Sequence, residues 1–368
     1  MRLYRMELYK LYHQKSFIIC GVFTLLITIF YFWAAGIDSE FAVVDGVRYQ
    51  GYEAVRVNRQ ITEEFRGALT DEKVARIVEK YGLPSELTED VPGWQDANYL
   101  NDFVAEYLSD GEWKMEEDKI PTKVYAIADT ELGELQRVTG EEIRFAYTKG
   151  WKVLMDSLQM GMVMANITVL LSVSVVFAQE GQSRMLALLS TTQEGKGKDV
   201  WAKIAAAFTL TIMVYAVVAL LCIVMSAGVF GLDGGDCALA VAMQRQSFFN
   251  ARVAASYMPV KDFARIILGM ALLSMLLVCA ITMCVSAHCR STFEAVTIAA
   301  VLWALPLLIS MFFGGFLYFF TSCMPLFLTM TDSVYEAVSW GWGPLMVWAA
   351  SVLSVFCVEE GYRVYKRM

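Results

Sequence analysis

Residues 204–232 read IAAAFTLTIMVYAVVALLCIVMSAGVFGL, an unbroken run without a charged side chain between Lys203 and Asp233. A helix needs about 20 apolar residues to cross a bilayer core, so this stretch is long enough to span one. Five other charge-free stretches share its character: 16–37, 157–179, 266–289, 295–331 and 337–358. The chain is therefore expected to be a polytopic α-helical membrane protein with six transmembrane helices. Composition agrees, with 57% hydrophobic and 18% charged residues and a mean hydropathy of +0.47, against about 25% charged in soluble domains. A cytosolic enzyme is excluded on that ground. A nucleic-acid binder is excluded by the net charge of -8 with no basic stripe to offset it.

The charge is unevenly spread. Residues 38–155 carry 25 Asp/Glu and 14 Lys/Arg, whereas the rest of the chain carries 13 and 16. An acidic polar insert thus interrupts an apolar, slightly basic remainder. The expected order is a helix over 1–15, span one at 16–37, the insert at 38–155 and span two at 156–179. A loop at 180–203, span three at 204–232, an outer loop at 233–265 and span four at 266–289 follow. Span five at 295–320, a segment at 321–336, span six at 337–358 and a tail at 359–368 complete it. The stretch from Ala295 to Thr331 is too long for one simple span and contains Pro306, Gly314, Gly315 and Pro325. It reads as a span followed by a broken, re-entrant piece, or else as one long tilted helix; irregular backbone at membrane depth needs cover from protein or water.

Orientation follows from Lys and Arg in short loops. Arg2, Arg5, Lys10 and Lys15 share a side with Arg184, Lys196, Lys198 and Lys203, with Arg290, and with Arg363, Lys366 and Arg367. Both termini are expected in the cytoplasm and residues 38–155 outside a bacterial plasma membrane. The first stretch exceeds a usual signal core and has no clear cleavage site, so it reads as a retained span. Before it, Leu3, Tyr4, Met6, Leu8, Leu11 and Tyr12 alternate with Arg2, Arg5, Lys10 and Gln14. That pattern suits an amphipathic helix in the interface, or a simple extension of span one.

Within the insert, FAVVDGVRY (41–49) predicts a turn at Asp45-Gly46 between extended pieces. Helices are expected over 61–67, over 70–81 capped by Thr70, and over 97–108. A strand is expected over 124–128, and a helix running from Glu141 to Asp156 into span two. The insert is thus a mainly helical, α+β domain. It contains no cysteine, so it is not a disulfide-stapled module. Cys237 and Cys323 fall in outer segments and are left as a possible pair.

The sequence is poor in catalytic groups. It has two histidines, His13 and His288, no zinc-hydrolase motif, no Cys-x-x-Cys and no Gly-x-Ser-x-Gly elbow. EGKGK at 194–198 lacks the spacing of a phosphate loop. Catalytic residues, metal ligands and a cofactor of the chain's own are therefore not expected. Span interiors carry mild polar groups, among them Asn166, Thr168, Ser172 and Ser274, which are either helix–helix hydrogen-bonding groups or substrate-path residues. Met160 and Met164 are candidates for a soft apolar path or for lipid contact.

The most informative stretch is FAQEGQSRMLALLSTTQEGKGKDVWAK, residues 177–203. Glu180 closes span two, Met185, Leu186, Leu188 and Leu189 follow at helical spacing, and Lys203 opens span three. A loop carrying a short amphipathic helix is suited to docking on another protein, or to lying on the lipid surface. On these residues the chain resembles the permeases of type-2 ATP-binding-cassette (ABC) transporters. Glu180, Gly181, Arg184, Leu188, Leu189, Ser190, Thr191, Thr192 and Lys203 stand in the places of that family's motif, with Gln193 at or beside its usual proline. The N-terminal elbow helix, six spans and a re-entrant segment between spans five and six extend the resemblance along the chain.

The resemblance implies an efflux permease that pairs with a second permease chain, identical or related, with ATP and magnesium bound in separate cytoplasmic ATPase subunits. Glu180, Gly181, Arg184, Leu186, Leu189, Thr191 and Lys203 would couple to those subunits, and substrate would pass along spans one, two and five. An antimicrobial peptide, a drug or a lipid-like molecule is the implied cargo. Two alternatives stand beside it: sodium or ion efflux by a permease of the same class, and a sensor or scaffold relaying outside binding to a cytoplasmic partner.

Overall fold

The computed structural model describes residues 2–86, 95–111, 119–182, 197–242, 257–313 and 317–367. Six helices among them are long and apolar enough to cross a membrane: Lys15–Asp38, Lys149–Glu180, Lys198–Val229, Val260–His288, Thr292–Phe313 and Gly343–Lys366. They are spans one to six below, and they make the chain a multi-pass α-helical membrane protein. A helix is the form such stretches take because it satisfies every backbone N–H and C=O within itself. Spans two and four are the inner helices, 67% and 61% of their most apolar stretches being buried, against 11–28% in the other four. The outer spans expose rows of large apolar side chains, such as Ile19, Val22, Leu26 and Phe30, or Trp348, Val352, Val355 and Phe356. Patches of that size suit lipid rather than water.

The chain divides into two compact units. The first gathers Met1–Ile29, Asp156–Cys222 and Ile266–Met368. Here the N-terminal helix ends at Tyr12 and the next begins at Lys15, so it is a separate element and not an extension of span one. Span two breaks at Ser174 between the helical pieces Lys149–Val173 and Val175–Gln182. The break has a cause: Ser286 Oγ of span four donates to the Ser174 carbonyl at 2.7 Å. The same hydroxyl accepts from the backbone N–H groups of Phe177 and Ala178 at 3.1 and 3.0 Å. An inserted side chain that takes up the ladder's bonds is a standard origin of a kink. The described part of span five runs over Thr292–Phe313. Three short helices, Tyr318–Ser322, Pro325–Thr329 and Thr331–Ser339, then precede span six. One long tilted helix is thereby ruled out over 317–339. Span six runs on to Arg367, so residues 359–367 continue the helix rather than forming a separate tail.

The second unit gathers Phe30–Met155 and Ile223–Arg265. The expected hairpin is present, Phe41–Val44 pairing antiparallel with Val47–Gln50. Asp45 and Gly46 both take positive φ, 52° and 73°, as a two-residue turn matched to strand twist requires. Helix Asp71–Tyr81 is capped by Thr70, whose Oγ1 accepts from the Lys73 N–H at 3.3 Å. Helix Tyr99–Leu108 begins with a reciprocal box between Asn98 and Asn101. A further helix, Glu131–Thr139, follows. The core holds Phe65, Ile77, Leu100, Phe103, Leu108 and Phe145, and Val241 joins them from the second segment. The domain therefore does not stop at residue 155, because part of the 233–265 stretch packs into its core.

Three expectations fail here in whole or in part. The helix expected over 61–67 holds only over 61–63: these are the last residues of a helix over Tyr52–Glu63, and Gly67–Ala68 pairs as a short strand with Arg144–Phe145. Residues 124–128 are not a strand, since Val124 makes a single bridge to Ser109 and Ile127–Asp129 is a tight 3-10 turn. Residues 141–148 are not helical. Arg144–Phe145 is drawn into the small sheet, and the helix of span two starts at Lys149. Cys237 and Cys323 are both free thiols. Burial pushes the Cys237 thiol up to about 11.

Tyr99 is the polar pin of this unit. Its hydroxyl lies 3.2 Å from the Ala146 carbonyl and 3.0 Å from Thr148 Oγ1, and it accepts from the Thr148 N–H at 3.1 Å. Burial raises it to about 12. A tyrosine whose folded value lies above its ordinary value near 10 adds stability below that value and loses it as pH climbs to the folded one. The unit is therefore expected to lose order between about pH 10 and 12. Tyrosinate absorbance followed with near-ultraviolet circular dichroism checks this. In Tyr99→Phe the late step should shrink to that of Tyr147, whose hydroxyl burial also raises, and a unit that holds its dichroism past pH 12 would contradict the assignment.

Candidate functional site

The polar focus of the first unit is Lys203, in the second turn of span three and only 2% exposed. Its ammonium lies 3.0 Å from Glu180 Oε1 at the end of span two and 3.8 Å from Glu7 Oε1 on the N-terminal helix. It also pairs with Asp199, one turn earlier on its own helix. The second oxygen of Glu180 accepts the Tyr365 hydroxyl from the end of span six, and the Tyr365 ring packs on Phe177 at 4.7 Å between centroids. Four elements thus converge on one buried ammonium.

Local sequence explains the geometry. In the N-terminal helix, positions 3, 7 and 11 and positions 4 and 8 share a face. Glu7 and Leu11 are buried on that face, while Met6, Tyr9 and Tyr12 are exposed. The helix is pinned a second time by Tyr4, whose hydroxyl donates to Thr209 Oγ1 at 3.0 Å. At the rim, Lys10 pairs with Glu7 at 2.6 Å.

A buried charge survives only if it is paired and hydrogen-bonded. One ammonium among three carboxylates meets that condition for the lysine and leaves an excess of negative charge around it. Such an arrangement fixes the mutual position of helix ends, and it is sensitive to any force that separates them. Among the described residues no three His, Cys, Asp or Glu side chains converge as a metal would need.

Of the residues expected to couple to a partner, Glu180 and Lys203 are brought together and Gly181 continues the helix of span two. Arg184, Leu186, Leu189 and Thr191 lie outside the described residues. Glu180 and Lys203 do not stand out as surface contacts; they tie together the two ends of the 181–202 segment. Glu7, Asp199 and Tyr365 escaped sequence reasoning. Two had a signal: Glu7 is the one acid in a basic amphipathic segment, and Asp199 stands four residues before Lys203.

The other candidates form a seam on the inner face of span two. Asn166 Nδ2 donates to Ser274 Oγ at 3.1 Å, and that hydroxyl donates to the Pro325 carbonyl at 2.7 Å. Thr168 Oγ1 meets Thr24 Oγ1 at 2.8 Å, and Ser172 bonds back to the Thr168 carbonyl at 2.7 Å. Two turns nearer the start of span two, Gln159 Oε1 accepts the Thr331 N–H at 2.7 Å. These groups hold spans one, two and four and the short-helix segment together. Met160 and Met164 are half-buried beside them.

No family model matches the chain, and neither a curated protein nor a solved structure matches it. The class that fold and site define is a multi-pass helical membrane protein with a folded polar unit and a buried ionic cluster at the ends of its helices.

Proposed function

We propose that this chain is the membrane-spanning permease subunit of an ATP-driven exporter of the type-2 ABC class. It moves an amphipathic substrate such as an antimicrobial peptide, a drug or a lipid-like molecule out of a bacterial cell. The observation that carries the reading is the 3.0 Å ion pair between Glu180 and Lys203. Those residues flank the segment whose sequence suits docking of a cytoplasmic ATPase. Joined at its base, that segment would act on spans two and three as one lever, and Glu7 and Tyr365 would spread the movement to the N-terminal helix and span six.

On this reading both termini and the Lys203 cluster face the cytoplasm. The N-terminal helix is an interfacial elbow, residues 317–339 are the re-entrant piece, and the polar unit is extracellular. A second permease chain completes the pathway, and ATP and magnesium belong to the ATPase partner. Affinity purification of the tagged chain from its native membrane in mild detergent tests the proposal. An ATPase chain should co-elute, with vanadate-sensitive hydrolysis that a transported peptide stimulates. Elution without any nucleotide-hydrolysing chain would contradict it.

A further inference from the structure

We propose that the outward face of the N-terminal helix, Arg2–Tyr12, binds the anionic phospholipid headgroups of the leaflet it lies on. Arg2 and Arg5 take the phosphates, and Tyr9 and Tyr12 sit between the heads. The proposal rests on the reading of this helix as an interfacial elbow and names the lipid it takes. Its rotation is fixed from within the unit. Glu7 lies 3.8 Å from the Lys203 ammonium, and the Tyr4 hydroxyl donates to Thr209 Oγ1 at 3.0 Å, so the opposite face points away from the helices it packs on. At 3.6 residues per turn, Arg2, Arg5, Tyr9 and Tyr12 stand in one row opposite Glu7 and Leu11. All four are exposed, Tyr9 to 63% and Tyr12 to 51%.

The row is held at headgroup level. Span three, Lys198–Val229, has 32 residues and is about 48 Å long, against a hydrocarbon core of about 30 Å. Centred on that core, it leaves about 9 Å of helix among the headgroups at each end, and Lys203 lies about 7.5 Å from its start. The N-terminal helix docked on Lys203 therefore lies among the heads. Two residues beyond Tyr12, the chain enters span one at Lys15.

Charge selects the lipid. Glu7 is the only acid before Asp38, and it is turned inward onto Lys203, with Lys10 2.6 Å away at the rim. The outward row thus offers cations and no carboxylate. An arginine fork matches two phosphate oxygens at once, and a tyrosine joins an apolar ring to a hydroxyl that stays wet. Arg2, Arg5, Lys10 and Lys15 stand immediately ahead of a span, the arrangement that anionic bilayer surfaces attract. A zwitterionic head carries the same phosphate with a cation beside it, which repels the arginines.

The test uses the full chain in mild non-ionic detergent, with phosphatidylglycerol or phosphatidylcholine added and the retained lipid counted by native mass spectrometry. Phosphatidylglycerol should be retained at a lower concentration than phosphatidylcholine. Its binding should weaken about fivefold in Arg2→Gln and again in Arg5→Gln, the usual worth of one basic side chain at an anionic surface. Arg363→Gln removes an exposed cation from the end of span six and should leave the binding unchanged. Equal retention of the two lipids overturns the proposal, and so does an equal loss in Arg363→Gln. A second arm replaces Tyr9 with a benzophenone amino acid and irradiates native membranes. Phospholipid adducts are expected, whereas a major adduct to a second copy of the chain or to another protein overturns the proposal. Neither arm reads transport or ATPase recruitment, so this inference and the exporter reading fail separately.

Discussion

Replacing Lys203 with methionine is expected to be the most damaging single change in the membrane unit. The substitution keeps the length of the side chain and removes the ammonium at the centre of the cluster. Asp199 and Glu180 would then lose the ammonium they share and Glu7 would keep Lys10 at the rim, with Glu7 and Asp199 buried. Breaking a buried pair by removing one partner costs about 3–5 kcal/mol, because the remaining charge stays desolvated. The expected outcome is a large fall in the midpoint temperature and in the fraction of monodisperse protein after extraction. Glu180→Gln should cost less, since Asp199 still pairs with the ammonium and the amide can still bond to Tyr365. Combining Lys203→Met with Glu180→Gln should recover part of the loss, because the pair is removed together. A Lys203→Met protein as stable as wild type would mean that the cluster is not the fastening it is taken to be.

The second large effect is expected at Gly150, where span two enters the polar unit. A Cβ there would stand 1.9 Å from the Gly231 carbonyl oxygen and 3.0 Å from Phe230 Cβ. The first obstacle is backbone, so no rotamer change relieves it, and Gly231 itself holds a φ of 76°. Overpacking a well-filled site costs about 1–3 kcal/mol, and a clash with fixed backbone belongs at or above the top of that range. Gly150→Ala should therefore lower the yield of folded protein and open the polar unit to limited proteolysis. Gly269→Ala supplies the control. Nothing lies within 4 Å of a Cβ at that helical position, and exchanging glycine for alanine in a helix is favourable by about 0.5–1 kcal/mol. Equal behaviour of the two variants would contradict the packing described.

Much of the membrane unit was legible because hydrocarbon imposes a simple rule: a long charge-free run becomes a helix. The charge boundaries nevertheless cut spans short. Span three begins at Lys198 rather than Ile204, and span four at Val260 rather than Ile266. Lysine and aspartate continue a helix readily when their heads find partners, as Lys203 and Asp199 do. The polar unit was legible where local signals were strong, at the Asp45-Gly46 turn and the Thr70 cap. It was not legible over Tyr52–Glu63, where the buried face includes Asn58 and Thr62 and so lacks an apolar period. Asn58 earns its burial through distant partners: its Nδ2 donates to Glu40 Oε1 at 3.1 Å and its Oδ1 accepts from the Tyr99 N–H at 3.0 Å.

The cluster shows the same limit from another side. Glu180 and Lys203 stood out by position, yet the sequence placed them at the edges of a loop, where charge is ordinarily solvated. Their burial depends on Glu7 and Tyr365, far away in the chain, and no periodicity reports such a meeting. It changes what the two residues would do in an exporter, from gripping a partner to holding the helices through which a partner acts.

Photo-crosslinking from position 189 tests that account most directly. With a benzophenone amino acid replacing Leu189 in the full chain, irradiation of native membranes should yield one major adduct with a nucleotide-hydrolysing cytoplasmic chain. The adduct should survive Glu180→Gln, while ATP-driven transport by that variant falls. Adducts to lipid alone would contradict the account, and so would undiminished transport by Glu180→Gln.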